Sequence, residues 1–162
     1  MFYHVQIHQR VPVEEGVEFL QTVDQVLNDP RGWGLRFTRV PLDKLLTYPS
    51  DQAFIIRLTP KEVLNKEFQE FAAHQLSVAN MTDRVIYINA CRWTGDCPNN
   101  SQLSLDEYRQ YVINHEVGHM LGKHHPTELP DQLHAPVMIQ QTLGIKHFYP
   151  NPWPTTFDRN KL

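Results

Sequence analysis

Apolar and polar positions divide the chain into short stretches of two periods. Residues 2–8, "FYHVQIH", alternate and predict a strand. Residues 13–28, "VEEGVEFLQTVDQVLN", set Val13, Val17, Leu20, Val23 and Leu27 at helical spacing and predict an amphipathic helix. "DPRGWG" then breaks it. "LRFTRV" at 35–40, "AFIIRL" at 53–58 and "RVIYIN" at 84–89 predict further strands. "PLDKLLTYPSD", between the first two of these, reads as loop or a short helix. Residues 60–80 open like a helix, with Pro60 near the first turn, and then become ambiguous. "TGDCPNNSQ" is a loop, and the tail from Tyr149 starts extended because three prolines fall within five residues.

The longest helical signal lies between that loop and the tail. Ser104 and Glu107 form the Ser-x-x-Glu pattern of a capping box, directly before an apolar-periodic run. Gly122 supplies the stop, since glycine accepts the left-handed conformation that closes a helix. The spacing therefore predicts a helix over about 105–121, with Asp106 and Glu107 serving the electrostatics of its first turn.

The whole chain, 162 residues with 41% apolar and 20% charged positions, fits one soluble globular domain with a core of its own. The formal charge is −3 and the cations are scattered, which argues against a nucleic-acid or anionic-membrane footprint. No apolar run approaches the roughly 20 residues of a membrane-spanning helix. The N-terminus alternates, without the basic and apolar regions of a signal peptide, so no export signal is expected within the chain. Cys91 and Cys97 flank "RWTGD"; either a local disulfide or two free thiols fits that spacing.

The predicted helix carries the chemistry. "YRQYVINHEVGHMLGKHH" holds four of the chain's nine histidines. His115 and His119 are four apart and project from one face, so both imidazoles can reach one metal ion. Glu116 stands beside them, where a carboxylate can meet a metal-activated water without being a ligand. This is the H-E-x-x-H zinc signature. A catalytic zinc takes three protein ligands and keeps a position for water. The longer pattern H-E-x-x-H-x-x-G-x-x-H selects His125 as the third, because Gly122 turns the chain off the helix and a side chain three residues later points back. His124 is then a surface or cleft residue. His4, His8 and His74 have no partners at metal spacing and read as surface positions.

The arrangement resembles the metzincin metalloproteases, in which a methionine turn forms an apolar floor beneath the metal. "HAPVMIQQT" supplies Met138, thirteen residues after His125, within a turn at about 136–140. A closer resemblance lies in "LNDPRGWG", "YRQYVINHEVGHMLG", "APVMIQQTLG" and "PNPWP", which look like an uncharacterised, mainly actinobacterial family of metzincin-like peptidases. It is dense over about 105–154 and patchy before. It implies an α+β fold: a small twisted mixed sheet, a backing helix and an active-site helix, followed by the methionine turn. It also implies extracytoplasmic relatives. Two positions depart from well-studied metzincins. Where some carry a tyrosine two residues after the turn methionine, this chain has Gln140, and Pro126 follows the third histidine.

The expected activity is that of a zinc endopeptidase acting on a peptide or protein. Zn²⁺ is held by His115, His119 and His125, and Glu116 is the general base. Candidates for a further donor to the oxyanion are His124, His134, Gln140 and Tyr149. The strand at 84–89 is expected to be a sheet edge that pairs with extended substrate. Residues 142–153 are expected to wall the leaving-group side, with Phe148 and Trp153 read as packing residues. Two alternatives keep the same metal motif: an amide hydrolase acting on a non-protein substrate such as a cell-wall peptide, and a zinc-binding module that does not cleave. Iron, copper and nickel also suit imidazole ligands.

Overall fold

The computed structural model describes residues 1–160, so the last two residues of the tail lie outside it. The chain is α+β. Five strands form one sheet: β1 (Phe2–Ile7), β2 (Thr38–Arg39), β3 (Ala53–Thr59), β4 (Val78–Asn80) and β5 (Val85–Asn89). Their spatial order is β2-β1-β3-β5-β4, parallel throughout except for the antiparallel β4–β5 pair. The expected mixed sheet is therefore present.

Every residue of β5 is buried, as are most residues of β3. Central parallel strands are covered on both faces and read as unbroken apolar runs. The expectation that 84–89 forms a sheet edge is corrected here. β5 lies between β3 and β4, and the free edge belongs to the three-residue β4. The near-unbroken apolar run "VIYIN" is itself the mark of a strand covered by its neighbours. The segment at 60–80 resolves into α3 (Lys61–Glu67), a 3-10 turn over Gln69–His74, and β4. Pro60 caps α3, and Phe68, at φ −125° and ψ 68°, ends it. The strand expected at 35–40 shrinks to Thr38–Arg39, both exposed at the opposite edge.

α1 (Val13–Leu27) turns a different face to the core than its aliphatic spacing indicates. Val13 and Val17 are exposed, and the buried stripe is Gly16, Phe19, Val23, Val26 and Leu27. Phe19 sets that rotation. Its ring meets Trp93 edge-on at 4.8 Å, a larger apolar contact than either valine offers. Gly16 passes so close to β1 that a Cβ would lie 3.0 Å from Ile7 Cγ2. Two short helices, α2 (Leu42–Leu45) and α4 (Ala90–Thr94), complete this half. A disulfide joins Cys91 to Cys97 across the end of α4, one of the two readings left open by the spacing.

α5 (Leu105–Met120) matches the helix predicted over about 105–121. The Ser104–Glu107 capping box is complete: Glu107 N donates to Ser104 Oγ at 3.3 Å, and Ser104 N donates to Glu107 Oε2 at 3.0 Å. The helix is buried on nearly all sides, packed between the sheet, α1 and the C-terminal segment. α1 packs against it, tied where Arg109 meets Glu18 at 2.8 Å. The chain ends, as described, in α6 (Thr156–Asn160).

Candidate metal centre

The end of α5 shapes the site. Gly122 N donates to His119 O at 2.9 Å and Lys123 N donates to Gly118 O at 2.9 Å. That pair of bonds is a Schellman closure, and it needs φ of 81° at Gly122, the left-handed region glycine accepts freely. The reversed chain then brings His125 back over the helix. His125 Nε2 lies 3.1 Å from His115 Nε2 and 3.2 Å from His119 Nε2. The three ligating atoms all lie within 4.8 Å of one another.

These contacts are not ordinary hydrogen bonds. His115 Nδ1–H donates to Val137 O at 2.8 Å, and His119 Nδ1–H donates to Lys123 O at 2.9 Å. Each bond fixes the tautomer and leaves a bare lone pair on Nε2. A proton on His125 Nε2 could serve one of those lone pairs, but not both. Three imidazole nitrogens facing one point suit a cation between them. Metal–nitrogen bonds of 2.0–2.1 Å in tetrahedral geometry would hold such nitrogens roughly 3.3 Å apart. The residues present therefore fit a metal ion.

Electrostatics agree with that fit. Burial holds the His115 imidazole well below its usual pKa, and the neighbouring His119 adds to the effect. His119 is lowered by burial, and His125 is pushed down to about 4 by burial and then by His119 and His124. All three are neutral at pH 7, the form that binds a metal. Glu116 is buried, and desolvation alone pushes its carboxyl up to about 8.

The floor is apolar. Met138 is buried within a tight turn over residues 136–139, where Ile139 N donates to Pro136 O at 3.3 Å. Its sulfur lies against Gly118, the residue before His119 in α5. A Cβ on Gly118 would come within 2.3 Å of Met138 Sδ and 2.8 Å of Trp33 Cζ2.

The four expected donor candidates separate. His124 and His125 line a cavity of about 270 Å³ together with Met138. Gln140 shares a cavity of about 530 Å³ with His125, Leu129, Ile139 and Leu143. His134 and Tyr149 pair with each other through a β-bridge and line neither cavity. Phe148 packs in a small core with Ala135 and Ile139, as expected. Trp153 packs against the main core beneath the Arg31 guanidinium, 4.2 Å away. His74 is exposed as expected. His4 and His8 are half-buried, and His4 Nδ1 pairs with Val40 O at 2.9 Å. A larger cavity, about 700 Å³, lies at the β2 edge, lined in part by His4 but away from His115, His119 and His125. The Asp24 carboxylate in its wall is already taken up by Tyr3 at 2.6 Å and Arg39 at 3.1 Å, so the histidine cluster remains the site.

Sequence patterns did not point to the residues that hold this site from behind. Tyr111 Oη donates to Ile139 O at 3.1 Å and accepts from Gln141 N at 2.9 Å. Gln141 is fully buried and bonds Asn151 in both directions. Trp33 Nε1 donates to Asn114 O at 3.1 Å. Asp158 is buried and accepts from the backbone of Val137 and Met138 at 2.9 and 3.1 Å. Of these, Asp158 left a local trace, since Thr155 and Asp158 repeat the capping-box spacing; the long-range contacts left none.

Residues 1–153 match the family described as a protein of unknown function, DUF3152. The chain belongs to that family. No curated protein and no solved structure matches it.

Proposed function

We propose that the protein is a zinc-dependent endopeptidase of metzincin type. The observation that carries this reading is the convergence of His115, His119 and His125 Nε2 atoms, with two of the three imidazoles locked in the ligating tautomer. Three neutral imidazoles with a solvent-facing side are the ligand set of a catalytic zinc, which keeps one position open. Bound there, Zn²⁺ would polarise a scissile carbonyl and acidify a water.

The chain's own residues supply the rest. Glu116 lies next to His115 in sequence, at the ligand end of α5; burial pushes its carboxyl up to about 8 in the metal-free fold, and a cation held by the histidines would draw it back to the carboxylate form. It takes the proton of the attacking water at its carboxylate and passes it to the leaving amine. Met138 and Gly118 exclude water beneath the ligands. The cavity beside His125 is lined mainly by apolar side chains and receives a substrate side chain. β4, beside α5, presents free backbone groups to which an extended peptide adds as a further strand.

The Cys91–Cys97 disulfide supports work in an oxidising compartment. Among the described residues, no helix is long and apolar enough to cross a membrane. The test is metal stoichiometry together with peptide cleavage. One zinc per chain and chelator-sensitive endoproteolysis are expected; a chain that binds zinc yet leaves every peptide intact is not a peptidase.

A further inference from the structure

The carbonyl that orients His115 belongs to the peptide group joining Val137 to Met138, and the N–H of that same group donates to Asp158 Oδ1 at 3.1 Å. One planar amide therefore links a buried carboxylate to a ligand imidazole. The order is Asp158 Oδ1, Met138 N–H, Val137 C=O, His115 Nδ1–H, and then the bare Nε2 that faces the metal position. Amide resonance couples its two ends: a carboxylate drawing on the N–H makes the carbonyl oxygen a stronger acceptor.

Asp158 is well placed for this. It is 3% exposed, and Oδ2 accepts from Val137 N at 2.9 Å, Thr155 N at 2.8 Å and Thr155 Oγ1 at 2.8 Å. Three of its four bonds come from backbone N–H groups, so both oxygens are fixed. The adjacent residue serves the second ligand. Lys123, whose carbonyl orients His119, donates from Nζ to Arg159 O at 3.1 Å. Arg159 in turn donates to Arg31 O and Gly32 O at 2.6 and 2.7 Å, next to the Trp33 that packs against Gly118. Asp158 thus bonds the peptide group that orients His115, and Arg159 bonds the side chain of the residue that orients His119. Both lie beyond the stretch that matches the family, residues 1–153.

We propose that Asp158 is a positioning residue of the metal centre, acting on His115 through the Val137–Met138 peptide group as a carboxylate–peptide–histidine relay. In many metal sites the carboxylate touches the histidine directly; here one peptide unit is inserted between them. The inference rests on the reading of the three histidines as a metal site.

The test compares wild type with Asp158→Asn, which keeps size and removes charge, and with Thr155→Ala, which removes the hydroxyl's bond to the Asp158 carboxylate and the one it accepts from Asp158 N but leaves both turn amides paired. Zinc affinity is read by competition with a chromophoric chelator, and the histidine ring nitrogens by NMR on ¹⁵N-labelled protein. Asp158→Asn is expected to bind zinc about 10–100-fold more weakly. It should also move the His115 Nδ1–H resonance more than that of His119. Thr155→Ala should lower thermal stability and leave affinity within twofold of wild type. A folded Asp158→Asn protein with unchanged affinity and an unmoved His115 resonance overturns the relay. Where Asp158→Asn does not fold, wild type decides. Zinc loading should shift the Met138 amide proton downfield more than that of Val137, whose N–H lies in the neighbouring peptide group; equal shifts or none overturn the proposal. A wild-type protein that takes up no zinc overturns the metal-site reading and the relay together. Zinc uptake with unaffected Asp158→Asn overturns the relay alone.

Discussion

Met138 and Gly118 are in contact so close that the helix has room for no side chain at that position. Sδ would stand 2.3 Å from a Cβ on Gly118, and the Trp33 ring would stand 2.8 Å away on the other side. The two interior positions of the H-E-x-x-H pattern are commonly treated as free. Here the second is committed to glycine because the Met138 thioether and the Trp33 ring fill the space a Cβ would need. The methionine turn and helix α5 are thereby locked together at Gly118.

Gly118→Ala should overpack that contact and cost about 1–3 kcal/mol. For a chain of this size the melting temperature should fall by roughly 3–10 °C. The Met138→Ala background should absorb part of the loss, since neighbours in contact are not additive. Calorimetry of the four proteins checks this. An alanine at 118 that leaves the melting temperature unchanged would contradict the packing.

Helix α5, its capping box, its glycine stop and the three histidines were legible because their determinants are local in sequence. Ser104 and Glu107 lie three apart, and all three ligands fall within eleven residues. The rotation of α1 was not legible, because Phe19 outcompetes Val13 and Val17 only once Trp93 is in place. The edge of the sheet was misassigned for a similar reason: the antiparallel return of β4 depends on Ser77 Oγ and Gln75 O bonding Asn89, contacts with no period in the sequence. Asp158 escaped notice because its partners at Val137 and Met138 lie 21 and 20 residues away.

Glu116 should make the metal-free fold sensitive to pH. Its carboxyl titrates at about 8 in the fold against 4.5 in an open chain, so the fold binds that proton more tightly. Its contribution is fully present below pH 4.5 and is lost as pH rises to about 8. Glu116→Gln has no such loss. Chelator-treated Glu116→Gln protein should therefore exceed wild type in stability by a margin that grows across that window. Denaturant midpoints at pH 5 and pH 8.5 measure it, and a margin independent of pH would count against a desolvated carboxyl.

The histidines work in the opposite direction. Their pKa values are lowered in the fold, with His125 at about 4 against 6.5 unfolded. Stability of the metal-free protein is held above pH 6.5 and falls as pH drops from 6.5 toward 4. Metal should be retained well below pH 6, because protons compete poorly for these nitrogens. Dialysis from pH 7 to pH 4 with metal analysis at each step should place half-release below pH 5.5. Complete release by pH 6 would show imidazoles of ordinary basicity.

The Cys91–Cys97 bridge closes a short loop beside α4, remote in sequence from the histidines. A loop of this length stabilises by about 2 kcal/mol on the chain-entropy account. Replacing both cysteines with serine should lower stability by that order and leave zinc affinity within about twofold. A large loss of affinity would mean that the bridge supports the site itself.

Peptide cleavage by the histidine cluster and Glu116 is open to one direct experiment. A complex peptide library is digested by the zinc-loaded protein and by zinc-loaded Glu116→Gln, and new termini are mapped by mass spectrometry. Cuts by wild type that vanish in Glu116→Gln, with one zinc per chain in both, are the predicted result. Equal cutting by the two proteins, or none by a wild type that carries its zinc, would contradict it.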